Sequence, residues 1–469
     1  MSKKYITTTL PYINGQGAHI GHTFEFCLAD VITSYYRYKL GASNVFLNVG
    51  VDEYGQKIYL KAQEEGFENT QDYCNAMAIK WKEFCSVFQV DYDKFYRTTS
   101  VDHGSQARRY LSELEYKGHT YRKSYAGQYC AGCEAFITDK ELVDGNKCPT
   151  HLQPTQPVSE DNLFFQLSKF APDIKDILVN KNLSLELKNL MSEVYDLSVT
   201  RKNVQWGVKY SEDEIIYIWL EALTNYLFAI DYYNDPQYFH SFWSNSLIIC
   251  GKDNLKFQAY ILQALLLANG IPQTKEILVH GTILDAQGIK MSKTLGNVID
   301  PLEQVNKFGL SPVKYYLTMV LQTFEDSKYS ESDLINAWNS EVVNGLGNLI
   351  SRTLHLIDIK GVEPDESYLS LDTKNIITSQ CSAIENAFEG YNFNIVRREL
   401  NNVITGLNIR LQIEKPWELD DVLAFSVLND VYYELKSIIP YYCIVLKEYS
   451  ESLSKAFEVN KKVIIFGRI

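Results

Sequence analysis

The sequence lacks several features that would place the chain in other classes of protein. Its 469 residues contain no run of about 18 uninterrupted apolar residues, the length that a membrane-spanning helix needs. The N-terminal segment MSKKYITTTLPY has neither the apolar core of a secretory signal nor the arginine-rich pattern of an organelle-targeting peptide. These absences predict a cytoplasmic protein that does not associate with membranes.

Disulfide chemistry and general nucleic-acid binding are also disfavoured. Nine cysteines, an odd number, are dispersed along the chain, which is typical of a reducing compartment. The formal net charge of −13 argues against indiscriminate binding to nucleic acid, although one basic groove could lie on an acidic surface. No internal repeat is present, and a hydrophobic content of 46% is ample for several folded cores in a chain of this length.

The N-terminal region has the pattern of a parallel βαβ unit. The pattern predicts a strand at 4–10, a helix at 19–40, a buried strand at 44–50 and a helix at 53–66 that Gly66 closes. Because strands joined by a crossover helix lie parallel, we expect a doubly wound α/β sheet. The segment INGQG lacks the G-x-G-x-x-G fingerprint, so no NAD site is predicted.

The rest of the chain divides into an insertion, a resumed sheet and a helical region. The insertion has short segments and a cysteine cluster, strand patterns return at SLIIC and EILVHG, and apolar positions later recur at helical spacing. The predicted boundaries are 1–115 and 211–285 for the two halves of a Rossmann-type domain, 116–210 for the insertion, 286–330 for a lysine loop and connecting region, and 331–469 for an all-α bundle.

Two histidines flank a glycine in the segment GQGAHIGHTFEF. His19 and His22 follow the first predicted strand and fall on the first turn of the next helix, whose N–H groups and dipole favour anions. Gly21 leaves room for a nucleotide beside the helix backbone. Two surface histidines at a helix start are the alternative, and a metal is less favoured because no third ligand lies close in sequence.

A second motif, GIKMSKTLGNVIDP, lies late in the chain. Lys290 and Lys293 are three residues apart on a glycine-flanked loop, which suits a mobile segment that neutralises developing phosphate charge. Taken alone, the motif could equally be a solvated basic loop.

Together, HIGH and KMSK resemble the paired signatures of class I aminoacyl-tRNA synthetases. The resemblance extends over nearly the whole chain and is closest to the methionyl-tRNA synthetase family. The other similar segments are NVGVDEYGQKI, YCAGCEAF, LSVTRKNVQWGV, YIWLEALTNYL, CGKDNLKF, NGLGNLISRTL, LNIRLQIEKPWEL and the terminal FGRI. The insertion is too short to be the editing domain of the enzymes that charge isoleucine, valine or leucine.

The insertion contains two pairs of metal-ligand residues. Cys130 and Cys133 form one pair, and Cys148 and His151 form the other. Three thiolates and one imidazole at this spacing predict a closed, tetrahedral and therefore structural zinc site, against the alternative of buried or redox cysteines. A single knuckle resembles the simpler version of the family's insertion.

The resemblance implies a two-step reaction. Methionine would be activated by ATP to methionyl-adenylate with release of pyrophosphate, and the acyl group would then pass to the tRNA 3′ end, with Mg²⁺ accompanying ATP. The residues implied in ATP binding are Tyr12, His19, Gly21, His22, Glu25, Gly251, Asp253, Lys290 and Lys293. Arg201 matches a family arginine near the active site, although by itself it would be interpreted as a surface arginine.

The resemblance also implies an amino-acid pocket. Its residues are Leu10, Tyr12, Asp52, Trp219, Ala222, Leu223 and Tyr226. Asp52 would bind the substrate α-ammonium group, although in isolation it would be an ordinary loop aspartate. The helical spacing of the last four residues is equally compatible with core packing.

Three positions near the pocket depart from the family pattern. Gln258 stands where the family has a histidine, and Leu262, with Gln263, stands where it has Trp-Pro. Loss of a tryptophan predicts a roomier pocket. Because apolar pockets discriminate by only about 1–3 kcal/mol per methylene, the choice of amino acid could change.

The family's anticodon-reading residues have counterparts in Asn348, Arg352 and Trp417, which in isolation would be assigned to the helical bundle.

The leading interpretation is a monomeric enzyme that attaches methionine to a tRNA with a CAU anticodon. One alternative keeps this chemistry with another amino acid. A third is a tRNA-binding paralogue without catalysis, against which the retained histidines and lysines argue.

Overall fold

The computed structural model describes residues 3–14, 17–130, 135–137, 141–149, 152–192, 195–202, 204–291, 295–459 and 463–469. The strands are β1 (Lys4–Thr8), β2 (Val45–Val51), β3 (Lys94–Arg97), β4 (Thr120–Cys130), β5 (Ala135–Ile137), β6 (Gln156–Phe165), β7 (Leu197–Ser198), β8 (Thr200–Arg201), β9 (Ile215–Ile216), β10 (Ser246–Gly251), β11 (Glu276–His280), β12 (Ile283–Leu284) and β13 (Ser327–Lys328).

The α-helices are α1 (Ile20–Leu40), α2 (Gln56–Glu64), α3 (Thr70–Val87), α4 (Val101–Tyr116), α5 (Leu167–Phe170), α6 (Ser184–Ser192), α7 (Ile218–Phe228), α8 (Pro236–Trp243), α9 (Leu262–Ala268), α10 (Pro301–Phe308), α11 (Leu310–Tyr315), α12 (Glu331–Ala337), α13 (Asn348–Ile359), α14 (Leu371–Glu389), α15 (Phe393–Glu414), α16 (Asp421–Val445) and α17 (Ser450–Val459). The π-helical segments are Lys256–Ile261, Tyr316–Val320 and Trp338–Gly347. None of the helices in the described ranges is long and apolar enough to cross a bilayer.

The chain forms two compact units. The first unit comprises Met1–Ala18 and Leu40–His280, and the second comprises His19–Lys39 and Gly281–Ile469. Helix α1 therefore belongs to the second unit, although it connects β1 with β2 of the first.

A five-stranded parallel sheet forms the centre of the first unit. Its order is β11-β10-β1-β2-β3, and each neighbouring pair is parallel. All five residues of β1 are buried, as expected for a strand of a parallel sheet that is covered on both faces. The predicted parallel α/β sheet is confirmed.

Two predicted boundaries in this unit were too wide. The first strand ends at Thr8 and not at residue 10, because Pro11 has no N–H with which to continue the ladder. The helix predicted from 53 begins at Gln56, because Gly55 has a φ of 119° that no helical residue adopts. Asp52 is thereby left at the strand end, outside the helix.

The predicted insertion forms a separate antiparallel sheet in the order β5-β4-β6-β7. Strands β4 and β6 pair from Thr120↔Phe165 to Tyr129↔Gln156. The second unit is mainly helical, and from residue 331 onward the described part of the chain contains no strand, as predicted. In this unit Tyr35 of α1 stacks on Phe388 of α14, with ring centroids 4.6 Å apart.

Candidate active site

A cavity of about 130 Å³ lies in the first unit at the carboxyl ends of β1, β2 and β10. After β1 the chain builds the sheet outward through β2 and β3, and it later builds the other side through β10 and β11. The boundary between β1 and β10 is thus a topological switch point, where open α/β sheets bind ligands. The lining residues are Thr9, Leu10, Tyr12, Asp52, Ile218, Trp219, Ala222, Leu223, Asn225, Tyr226, Asn254 and Gln258.

The cavity brings together most residues of the predicted amino-acid pocket. Leu262 is the exception, since it is buried in the hydrophobic core of the unit and is not part of the lining. Sequence reasoning missed Thr9, Ile218, Asn225 and Asn254. Asn225 could have been found, because it lies three residues after Ala222 and so shares its face of α7.

Aromatic side chains form one wall of the cavity. Trp219 stacks on Phe257, with ring centroids 3.6 Å apart and planes inclined by 11°. Tyr226 is buried and contributes its phenol ring and its hydroxyl group. An apolar and aromatic wall of this kind suits a flexible, polarisable side chain such as a thioether.

Gln258, one of the departures from the family pattern, is part of a buried hydrogen-bond network. It lies in a π-helical turn, and its Nε2 donates to the Tyr226 hydroxyl at 2.8 Å. Gln263 donates from Nε2 to the Gln258 carbonyl at 2.8 Å and accepts from the Thr274 backbone N–H at 3.1 Å. Among the described residues, no hydrogen-bond partner reaches Gln258 Oε1.

The carboxylate of Asp52 is held at the end of β2. Asp52 pairs with Tyr12 in a parallel bridge. Its backbone N–H donates to the Pro11 carbonyl at 2.9 Å, and its backbone carbonyl accepts from the Ile13 N–H at 3.2 Å. Only 6% of Asp52 is exposed. A buried carboxylate at the edge of a cavity with an apolar and aromatic wall is a suitable partner for an ammonium group.

A second polar cluster lies beside the cavity wall. Asn48 Nδ2 donates to Thr7 Oγ1 at 3.0 Å and to Asn225 Oδ1 at 3.2 Å, and Asn225 donates to the Ala222 carbonyl. These contacts connect the strands β1 and β2 to the face of α7 that lines the cavity.

In the second unit, His19 and His22 stack at the start of α1. Their ring centroids are 3.7 Å apart and their planes are inclined by 16°. His19 Nδ1 accepts from the backbone N–H groups of Gly21 (3.1 Å) and His22 (3.3 Å), so its imidazole caps the helix. Since Nδ1 accepts, the proton of a neutral His19 ring is on Nε2, which can donate to an anion.

Gly21 packs closely against the His19 ring. A Cβ atom at this position would lie 3.0 Å from His19 Cε1 and 3.1 Å from Nδ1. The assignment of this glycine to nucleotide access stays a prediction, and in the structure the glycine also leaves space for the His19 ring. Glu25, one turn further along α1, is buried.

The lysine loop, also in the second unit, is anchored at both ends by Asp285. One carboxylate oxygen accepts from the N–H groups of Gln287 (3.0 Å) and Ile289 (2.8 Å), and the other accepts from Asn297 Nδ2 at 2.7 Å. These hydrogen bonds, led by the one from Asn297, lower the pKa of Asp285. Lys290 is exposed, and Lys293 lies outside the described residues.

The other residues implied in ATP binding and catalysis lie in the first unit. Gly251 ends β10, and Asp253 is exposed in the short helical turn that follows. Arg201 is buried, and its Nη1 donates to the Ser198 carbonyl, the Ser198 hydroxyl and the Thr200 carbonyl. Its guanidinium group lies 4.1 Å from the centre of the Tyr217 ring.

The residues predicted to read an anticodon lie in the second unit. The Arg352 guanidinium is 5.1 Å from the centre of the Trp417 ring. Asn348 is exposed at the start of α13, one turn before Arg352 and on the same face. Arg410 forms ion pairs with Glu414 at 3.0 Å and Asp430 at 3.1 Å.

Two of the four predicted zinc ligands are within the described residues. Cys130 ends β4 with 2% of its surface exposed, and Cys148 is fully buried, with its carbonyl accepting from the Leu152 N–H at 2.8 Å. Cys133 and His151 lie outside the described residues. The described ranges by themselves contain no cluster of three or more metal-ligand residues.

Comparisons with known proteins agree with this architecture. Residues 4–157 and 151–354 match the family model described as tRNA synthetases class I (M). The methionine–tRNA ligase of Caldanaerobacter subterraneus subsp. tengcongensis is 31% identical and aligns with 97% of this chain and 73% of its own length. That of Mycoplasmopsis pulmonis is 32% identical, with 96% of this chain and 92% of its own length aligned.

A solved structure leads to the same family. The structure of Mycobacterium tuberculosis methionyl-tRNA synthetase in complex with methionyl-adenylate superimposes with a TM-score of 0.88 at 25% identity, over 97% of this chain and 93% of that chain. Fold, family model and relatives therefore define a class I tRNA synthetase. Within that class, this chain belongs to the methionyl-tRNA synthetase family, which confirms the resemblance inferred from HIGH and KMSK.

Proposed function

We propose that the chain activates methionine with ATP and transfers it to tRNA. The cavity at the switch point of the parallel sheet carries this proposal, because it combines a buried carboxylate, Asp52, with an apolar and aromatic wall. Membership of the methionyl-tRNA synthetase family supports the same reaction.

In the proposed complex the cavity binds methionine by both of its ends. The Asp52 carboxylate accepts from the α-ammonium group, and Trp219 and Tyr226 contact the thioether side chain. The Tyr226 oxygen already accepts from Gln258, so its own O–H can donate to sulfur, a weak acceptor. Gln258 thus retains a polar contact at the position where the family has a histidine.

Activation requires attack of the methionine carboxylate on the α-phosphate of ATP, with pyrophosphate as the leaving group. We assign His19 and His22 to the ATP phosphates as Nε2–H donors, and Lys290 and Lys293 to the developing charge on pyrophosphate. Tyr12, Gly21, Glu25, Gly251 and Asp253 complete the proposed ATP-binding set, with Mg²⁺ accompanying the phosphates. Arg201, already fixed by Ser198 and Thr200, is the further cationic group proposed for catalysis.

Anticodon binding is assigned to the second unit. Trp417 would stack on an unstacked base, while Asn348 and Arg352 would contact base edges of a CAU anticodon. The half-exposed indole beside the Arg352 guanidinium supports this assignment. A structural zinc ion held by Cys130, Cys133, Cys148 and His151 would close the knuckle of the insertion, and the burial of both described cysteines suits thiolate ligation.

Two assays on the purified chain test the proposed function. Pyrophosphate exchange measured with each of the twenty amino acids should depend on methionine, and a CAU-anticodon tRNA should be charged in preference to the same tRNA with an altered anticodon. Exchange with a different amino acid alone would show that the remodelled pocket has changed substrate. The absence of exchange with every amino acid would overturn the proposed chemistry.

A further inference from the structure

A fully buried histidine–glutamate pair lies in the first unit outside the cavity. His103 belongs to α4 and Glu221 to α7, and Nε2 of the histidine is 2.6 Å from a carboxylate oxygen of the glutamate. Neither side chain is exposed to solvent. The Tyr96 hydroxyl lies 2.9 Å from the other histidine nitrogen, Nδ1.

The hydrogen bonds in this group have one consistent direction. Burial lowers the pKa of His103 to about 3, so its imidazole is neutral at physiological pH and carries one N–H. We assign that proton to Nε2, so that the Glu221 carboxylate accepts the hydrogen bond. Nδ1 then accepts from Tyr96, so the order of donation is Tyr96 to His103 to Glu221.

Glu221 is in the first turn of α7, the helix that forms the cavity wall. Trp219, Ala222, Leu223 and Tyr226 of this helix line the cavity, whereas Glu221 projects from a different face. No side chain caps the N-terminus of α7. The hydrogen bond between His103 and Glu221 therefore ties the turn that carries Trp219 to α4.

We propose that His103 is a positioning residue for the amino-acid cavity. Through Glu221 it fixes the rotation and depth of α7 and thereby the wall against which the substrate side chain packs. This inference rests on the proposed function, because it states that His103 affects methionine binding. His103 itself does not line the cavity.

The test first compares two substitutions of His103 by pyrophosphate exchange in the full-length chain. His103→Leu removes the N–H donor, whereas His103→Gln keeps an N–H at the same number of bonds from the backbone as Nε2. We expect His103→Leu to raise the KM for methionine about tenfold while the KM for ATP changes less than about twofold. His103→Gln should restore most of the methionine KM.

Glu276→Gln is the matched control. It disrupts another partly buried pair of the same unit, Lys4 with Glu276 at 3.0 Å, which lies at the amino end of the sheet. This variant should lose stability without a change in the methionine KM. The double variant His103→Leu/Glu221→Leu should raise that KM no further than His103→Leu alone, because the two residues act as one unit.

The outcomes separate the two proposals. If the wild-type chain exchanges with methionine and His103→Leu has the wild-type KM for methionine, the positioning role is wrong. An equal change in both KM values, or a methionine KM that Glu276→Gln raises as much, would also overturn it in favour of general destabilisation. If the wild-type chain shows no methionine-dependent exchange, the proposed function itself fails.

Discussion

The ammonium group of Lys314 lies 2.5 Å from the carboxylate of Asp30, and both side chains are buried in the second unit. The other carboxylate oxygen of Asp30 pairs with Lys447 at 2.6 Å. Asp30 is on α1, the helix that begins at the stacked histidines, and Lys447 follows α16 of the helical region. One carboxylate therefore connects three segments that are far apart in sequence.

Replacement of Asp30 by Ala should be strongly destabilising. The substitution leaves two lysines near each other without their shared counter-charge, and breaking a buried ion pair from one side costs about 3–5 kcal/mol. The free energy of unfolding in guanidinium chloride measures the effect. Glu451→Ala, which removes an exposed pair with Lys455 on α17, should produce no measurable change. Equal stability of the Asp30 variant and wild type would contradict this prediction.

The pH dependence of stability should report the buried state of His103. Its pKa is about 3 in the folded chain, below the ordinary value of 6.5, so the unfolded chain binds an extra proton between these values. The free energy of unfolding should therefore be highest above pH 6.5. As the pH falls toward 3, His103 should lower it, by about 1.4 kcal/mol per pH unit near pH 5. The unfolding free energy of His103→Gln should decline less steeply, and parallel slopes would refute a neutral His103.

His19→Asn separates helix capping from phosphate binding. Asparagine is a favourable N-cap and can replace Nδ1 as an acceptor, but it lacks the Nε2–H donor. We expect the rate of methionine-dependent exchange at saturating substrates to fall about 100-fold, as for loss of one donor to a developing anion. The thermal melting temperature should remain near that of wild type. His355→Asn, at an exposed position of α13, is the control that should retain activity.

Trp417→Ala should weaken productive tRNA binding. Stacking of a base on an aromatic side chain contributes about 1–3 kcal/mol, so the KM for a CAU-anticodon tRNA in the charging assay should rise correspondingly. Tyr368→Ala replaces another exposed aromatic residue of the second unit and should leave this KM unchanged. A similar rise for both variants would mean that the effect of Trp417 is not specific to the anticodon.

The purified chain should contain one zinc ion per molecule. Elemental analysis should find that Cys148→Ser loses the metal, because a thiolate is replaced by a poor ligand in a site with no spare ligands. Cys381→Ser, in α14 of the other unit, should retain it. Wild-type protein that is free of zinc after purification without chelators would contradict the proposed site.

Local patterns were sufficient to predict the parallel sheet, whereas most of the cavity residues were predicted from the resemblance to the family. Buried strands rich in β-branched residues indicate a parallel sheet. The helical period places Trp219, Ala222 and Tyr226 on one face of α7. Long-range pairs were not predictable in this way. His103 and Glu221 are separated by 118 positions, and nothing in the local sequence of either residue indicates the other.

The role of Gln258 shows a further reason for incomplete prediction. The nearby loss of a tryptophan at Leu262 predicted a roomier pocket, since the sequence does not reveal which neighbours compensate. In the folded chain the amide reaches the Tyr226 hydroxyl, and Gln263, at the position of the expected proline, binds the Gln258 backbone. Two of the departures from the family pattern, Gln258 and Gln263, are therefore linked by a hydrogen bond.

The place of α1 between β1 and β2 limits how the protein can be dissected. The chain passes from the first unit to the second after Ala18, returns after Lys39, and leaves again after His280. A fragment that ends at His280 would keep α1 but would lack Lys314, Lys447 and Phe388, the partners of Asp30 and Tyr35. The helical region is consequently not a detachable module, and truncation or transplantation experiments must include residues 19–39 with it.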